Sequence, residues 1–155
     1  MRFHYSSFVN APPAVVCAFH ERPDAVELLT PPWQPMQVLR KSGGLEAGAE
    51  VEFRVWMGPF PVRWLARHVA YEPGVSFTDI QVAGPFQSWR HTHSFLPQAD
   101  GTQLCDDIDL SLPGAPFSHA LIGWAIRLQL RTMFAYRHNV TRRYCDAKTQ
   151  PSGRA

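Results

Sequence analysis

Cysteine is scarce in this sequence and follows no pairing pattern. Cys17, Cys105 and Cys145 are odd in number and far apart, and they form no Cys-x-x-Cys. This argues against a disulfide scaffold and for reduced thiols in a cytoplasmic protein. No apolar run approaches the ~20 residues of a membrane span. Met1-Arg2-Phe3-His4-Tyr5 passes straight into polar–apolar alternation, unlike a signal peptide. A strong charge of one sign is also missing: the formal net charge is +2 over 155 residues. Neither nucleic acid nor an anionic membrane is therefore expected as the main partner. The basic excess is local (Arg127, Arg131, Arg137, Arg142, Arg143 and Lys148) and suits a helix end with its tail. Gly58-Pro59-Phe60-Pro61 and Gly84-Pro85-Phe86 read as turns with an aromatic plug, because a phosphate-cradling loop needs more glycine and a following helix. No serine or cysteine nucleophile motif occurs. Cys17 reads as helix core, and Cys105 alternates away from the expected pocket face.

What the chain does contain is apolar: 45% hydrophobic against 18% charged residues. That composition suits a globular domain with a sizeable core, expected over residues 1–145, with a disordered tail over 146–155. Residues 2–10 alternate as a strand. Asn10 is a plausible N-cap for a helix over 12–21, and a second short helix follows over 24–30. Pro31-Pro32-Trp33-Gln34-Pro35 excludes regular structure. Period-two patterning then predicts strands over 36–41, 49–57, 62–72, 75–83, 87–96 and 102–112, joined by tight turns as an antiparallel meander. Within 62–72, Val62, Trp64, Ala66, His68 and Ala70 share a face. Pro113-Gly114-Ala115-Pro116 ends the sheet, and residues 117 to about 144 form one long helix. Ile122, Ile126, Leu130, Met133, Phe134 and Val140 make its broad apolar side, while Phe117, Leu121, Trp124 and Leu128 make a second strip that one sheet cannot cover. That strip calls for a loop, a ligand or a second subunit, so a homodimer is one expectation. The fold class is α+β: about seven antiparallel strands curve round the long C-terminal helix, with a cavity between them.

The stretch from Asp79 to Phe95 lines that cavity. Strand side chains alternate between faces, so Trp89, His91, His93 and Phe95 share one face, as do Asp79 and Gln81 on the preceding strand. The parity that buries the larger aromatic set, and exposes Glu52, Arg63, Arg67 and Arg90, turns Phe53, Val55, Trp64, His68, Phe77, Asp79, Gln81, Trp89, His91, His93, Leu104 and Asp106 inward. Such a mixture suits a partly apolar small molecule. The hairpin brings Asp106 near His91 or His93, where a carboxylate fixes an imidazole's tautomer and raises its pKa. His91, His93 and Asp106 are thus either a general acid–base group, a polar ligand contact or an internally satisfied buried network. His91-x-His93 also has chelating geometry, with His68 or Asp106 as a third ligand. The demands of such a site weigh against it, and no metal or cofactor is expected. Leu130, Phe134 and Arg137 offer the helix side of the pocket. Arg137 pairs with a buried carboxylate such as Asp79, holds an acidic ligand group, or snorkels past the end of the core. Each tryptophan is read as either plain core packing or ligand contact.

Several segments together resemble the START-like (SRPBCC) superfamily, which includes polyketide cyclases and birch-pollen-allergen-like carriers. They are Glu21-Arg22-Pro23-Asp24 with Leu28-Leu29-Thr30-Pro31-Pro32, Gly58-Pro59-Phe60, the Asp79–Phe95 stretch, and Met133-Phe134-Ala135-Tyr136-Arg137-His138. The bacterial cyclase/dehydrase-like branch is the nearer likeness, over roughly residues 2–143. The resemblance implies the helix-grip fold and a cavity, places Trp33 near the cavity mouth as a lid, and implies no reaction. Some relatives look fused to a nucleotide-sugar-epimerase-like domain, for which this chain is too short. The expected function is binding of a hydrophobic or amphipathic small molecule, a lipid included. The alternatives are a cyclase or dehydratase working through the His–Asp pair and a non-catalytic interaction subunit.

Overall fold

A computed structural model describes residues 1–114 and 117–149, with the side chains of 118 and 147–149 left out of account. The strands are β1 (Arg2–Val9), β2 (Met36–Ser42), β3 (Glu50–Met57), β4 (Phe60–Glu72), β5 (Ser76–Ala83), β6 (Ser88–Gln98) and β7 (Gly101–Ser111). The helices are α1 (Pro13–His20), α2 (Ala25–Leu28) and α3 (Phe117–Thr149). The strands form one antiparallel sheet in the order β1-β7-β6-β5-β4-β3-β2. It is a meander from β2 to β7 that β1 joins at the β7 edge, curved round α3 in the helix-grip manner. The turns follow from sequence. Pro73 and Gly74 fill the middle of the β4–β5 turn, where Val75 N–H donates to Glu72 O at 3.0 Å. Gly74 has φ +74°, the position of a type II turn that glycine alone fills without strain.

Four expectations are corrected. The cap of α1 is Pro12, with no side-chain cap bond, and not Asn10. In β4 a register shift between His68 and Ala70 reverses the alternation, so Ala70 is exposed and Tyr71 turns inward instead. Ile122 is 49% exposed, because the sheet-facing side of α3 begins only near Ile126. The tail expected to be disordered from Asp146 is helical to Thr149, whereas residues 150–155, like Ala115 and Pro116, lie outside the described residues.

The inner face of the sheet holds two apolar clusters. Val9, Val16, Phe19, Phe77, Phe95 and Leu104 gather at one end. Trp89, Ile108, Leu110, Leu130, Met133 and Phe134 gather at the other. Full burial of each such side chain contributes about 1.5–3 kcal/mol. The outer face carries the charges: Glu50 pairs with Arg40 and Arg67, and Glu52 with Arg63. The second strip of α3 is open, with Phe117 79%, Leu121 74%, Trp124 70% and Leu128 57% exposed.

Candidate functional site

Between the two apolar clusters lies a polar belt set by strand register. His91 and His93 sit between Trp89 and Phe95 on β6, and Asp106 sits between Leu104 and Ile108 on β7. His93 is paired with Asp106 across β6–β7, and Asp79 with His91 across β5–β6. Asp106 is 2% exposed and accepts from three imidazoles. His91 Nε2 and His93 Nδ1 each stand 2.7 Å from its Oδ1, and His138 Nε2 of α3 stands 2.5 Å from its Oδ2. The far side of His138 meets Ser7 Oγ of β1 at 2.8 Å. One carboxylate thereby ties β6, β7 and α3 together, and Ser7 extends the chain to β1.

An ionised carboxylate accepts only, so each imidazole turns an N–H toward Asp106. His91 is then the Nε2–H tautomer and His93 the Nδ1–H tautomer, which leaves His91 Nδ1 and His93 Nε2 with open lone pairs. Asp79 lies on that open side. Its Oδ2 is 3.6 Å from His91 Nδ1 and 3.9 Å from His93 Nε2, beyond hydrogen-bond reach.

Burial works to raise the Asp106 pKa, but the charge of His93 and the hydrogen bonds from His138, His91 and His93 overcome it and hold the carboxyl well below its usual range. Asp79 goes the other way: burial raises its pKa, and His93, His68 and Arg137 only partly offset that. Burial, assisted by the neighbouring His91, pushes His93 down to about 4. Burial and His93 do the same to His20, whose Nδ1 bonds Val16 O at 2.8 Å. Burial therefore favours the neutral forms of His93 and His20, while Asp106 stays ionised.

The belt forms one end of a cavity of about 240 Å³. Phe53, Trp64, Phe86 and Trp89 wall it on the sheet side, Leu130 and Met133 on the helix side, and Leu29, Pro31 and Met36 at the α2–β2 segment. Trp64 meets Phe86 and Trp89 edge-on. Arg137 of α3 reaches the polar end, and its Nε is sealed from solvent without a partner.

The cavity brings together Phe53, Trp64, His68, Phe77, Asp79, Trp89, His91, His93, Leu130 and Arg137 of the residues singled out in the sequence. Five others do not line it, Leu104 among them in the core. Asp106 stands behind the imidazoles. Gln81 braces the next turn, bonding Phe86 N and O. Phe134 is 1% exposed in the core against Phe3 and His91. Trp33 is 59% exposed and lies edge-on against Tyr136. Sequence reasoning missed His20 and His138. Each stands four residues beyond a buried apolar position of its helix, Val16 and Phe134, and that spacing placed both on the inner face.

The profile of the family described as polyketide cyclase / dehydrase and lipid transport matches residues 9–135. No curated protein matches the chain in sequence. The Zhui aromatase/cyclase of a Streptomyces species superposes with a TM-score of 0.75 at 13% identity, over 100% of this chain and 99% of that one. A point mutant of norcoclaurine synthase from Thalictrum flavum, in complex with a transition-state analogue, gives 0.75 at 11% identity, over 97% and 96%. These two likenesses show the fold alone. A nucleoside-diphosphate sugar epimerase from Corynebacterium glutamicum is 28% identical with a TM-score of 0.64, over 90% of this chain and 28% of that one. The chain thus spans little more than a quarter of that protein.

Proposed function

The chain belongs to the polyketide cyclase/dehydrase and lipid transport family, within the START-like superfamily, and on that premise we propose that its cavity binds an amphipathic small molecule. The apolar body lies between Trp64, Trp89 and Leu130, and an oxygen-bearing end points at Arg137 and Asp79. One observation carries this reading: a guanidinium Nε is buried at the cavity wall with nothing to donate to. An unsatisfied buried donor costs about 1–3 kcal/mol, and a ligand carboxylate or carbonyl removes that cost. Cys17 and Cys105 are buried thiols outside any disulfide, which supports a cytoplasmic location, and among the described residues no helix is long and apolar enough to cross a membrane.

The test is displacement of a fluorescent apolar probe by aromatic carboxylic acids and by their parent hydrocarbons. Wild-type protein should prefer the acid by at least ~10-fold, the value of about one charge-assisted hydrogen bond. Arg137→Leu should erase that preference and leave hydrocarbon binding in place. An acid preference that survives Arg137→Leu refutes the reading.

A second reading is favoured by the ring orientations. With Asp106 fixing both tautomers, His91 Nδ1 and His93 Nε2 offer lone pairs as general bases to a bound carbonyl compound, as a cyclase or dehydratase would need. Turnover of aromatic polyketide-like substrates lost in His91→Ala and His93→Ala, with binding retained, is the result it requires.

A further inference from the structure

We propose that Asp79, His91 and His93 form a binding site for a divalent transition-metal ion, Zn²⁺ in the first instance, at the polar end of the cavity. Each of the three residues offers one ligand atom, and the three atoms lie within 4.8 Å of one another; Asp79 Oδ2 faces His91 Nδ1 and His93 Nε2. The two oxygen–nitrogen separations are 3.6 and 3.9 Å. Ligands held at zinc distances of about 2.0–2.2 Å stand roughly 3.4 Å apart in a tetrahedron, so the two oxygen–nitrogen edges close by a few tenths of an ångström to seat the ion, and the edge between the two imidazoles, within 4.8 Å, closes by at most about 1.4 Å.

The tautomers are already those a metal requires. Metal-bound imidazoles characteristically give their second N–H to a carboxylate, which fixes the ring and strengthens its lone pair. Here a single carboxylate, Asp106, takes that proton from both rings at 2.7 Å. Strand spacing alone offers His68 or Asp106 as the third ligand to His91 and His93. The register instead puts Asp106 behind the rings and Asp79 in front of them.

Two imidazoles and one carboxylate suit first-row dications, and the directions not taken by protein face the cavity, since all three residues line it. Arg137 opposes a cation there, but Asp79 and Asp106 together outweigh it. The site does not depend on an organic ligand, and the metal alone is the probe.

The test is titration of the purified, chelator-treated protein with ZnCl₂ by calorimetry, and with Co²⁺ followed by visible absorption. About one equivalent should bind with a dissociation constant in the micromolar range or below, with a tetrahedral or five-coordinate Co²⁺ spectrum. Asp79→Asn, which keeps the side-chain shape, and His93→Ala should each weaken binding at least ~10-fold. Asp106→Asn should weaken it about 10–100-fold without touching the ion. His4→Ala, which removes the exposed imidazole beside Asp107, should change nothing. No uptake at about 100 μM Zn²⁺, or uptake equal in Asp79→Asn and wild type, overturns the proposal. Because Asp79→Asn needs no repacking, it decides the matter even if His93→Ala fails to fold.

Discussion

Asp106 and Asp79 flank the same two imidazoles and have opposite lives. Asp106 faces the core, accepts from three histidines and stays ionised. Asp79, with its side chain 16% exposed toward the cavity, lies short of hydrogen-bond contact with either ring and has a raised pKa. Two carboxylates one strand apart on either side of β6 thus divide the labour. One is bonded to imidazoles from two elements and holds the architecture. The other keeps capacity for something the protein does not supply. Burial alone does not separate them; the number of partners does.

The largest effect expected from this contrast is on folding. Asp106→Ala strands three buried imidazole N–H groups and should cost about 3–5 kcal/mol, read by urea denaturation, whereas Asp79→Ala should cost under ~1 kcal/mol. Equal costs would end the distinction. Next comes pH. His20 has a folded pKa of about 4 against an ordinary 6.5. Its contribution is present in full above pH 6.5 and is lost as pH falls toward 4, on the order of 3 kcal/mol. His93 and His138 face His20 as potential like charges and Asp106 as an opposite one. Asp106 adds loss below its ordinary range, and Asp79, with its raised pKa, works in the opposite direction. Stability profiles of wild type and His20→Phe that coincide between pH 4 and 7 would remove His20 as the cause.

The two faces of α3 sharpen the comparison at smaller magnitude. Leu130→Ala should cost about 2–3 kcal/mol, near the low end for buried leucine because the adjoining cavity lets the site relax. Trp124→Glu on the exposed strip should stay within about 0.5 kcal/mol. If size-exclusion mass is the same for Trp124→Glu and wild type, that strip does not join two copies of the chain.

Most of the belt was legible in the residues. Alternation on β6 and β7 places His91, His93 and Asp106 on one face once the hairpin between them is recognised, and Gly58, Gly74 and Gly101 mark the turns that keep the meander in register. Ala70 was misplaced because a bulge has no sequence pattern of its own; nothing around Val69 distinguishes it from a regular strand. Trp33 was hard to orient for another reason. A proline-rich segment has no period from which to read a direction, so only the contact with Tyr136 shows where its ring lies. His138 was within reach of helical spacing, four residues after Phe134, but an isolated helix does not say what waits opposite.

By itself, the sequence determined which residues share a face, because periods of 2 and 3.6 are properties of the backbone and survive any packing. It therefore determined the helix-grip order of elements, the aromatic wall and the pairing of imidazoles with a carboxylate. Tertiary structure alone decided which carboxylate lies behind those imidazoles and which lies before them, and that His138 and Ser7 complete the network from α3 and β1. Those relations join residues as much as 131 positions apart. They depend on how a curved sheet closes on a helix, a distance and an angle that no local period encodes.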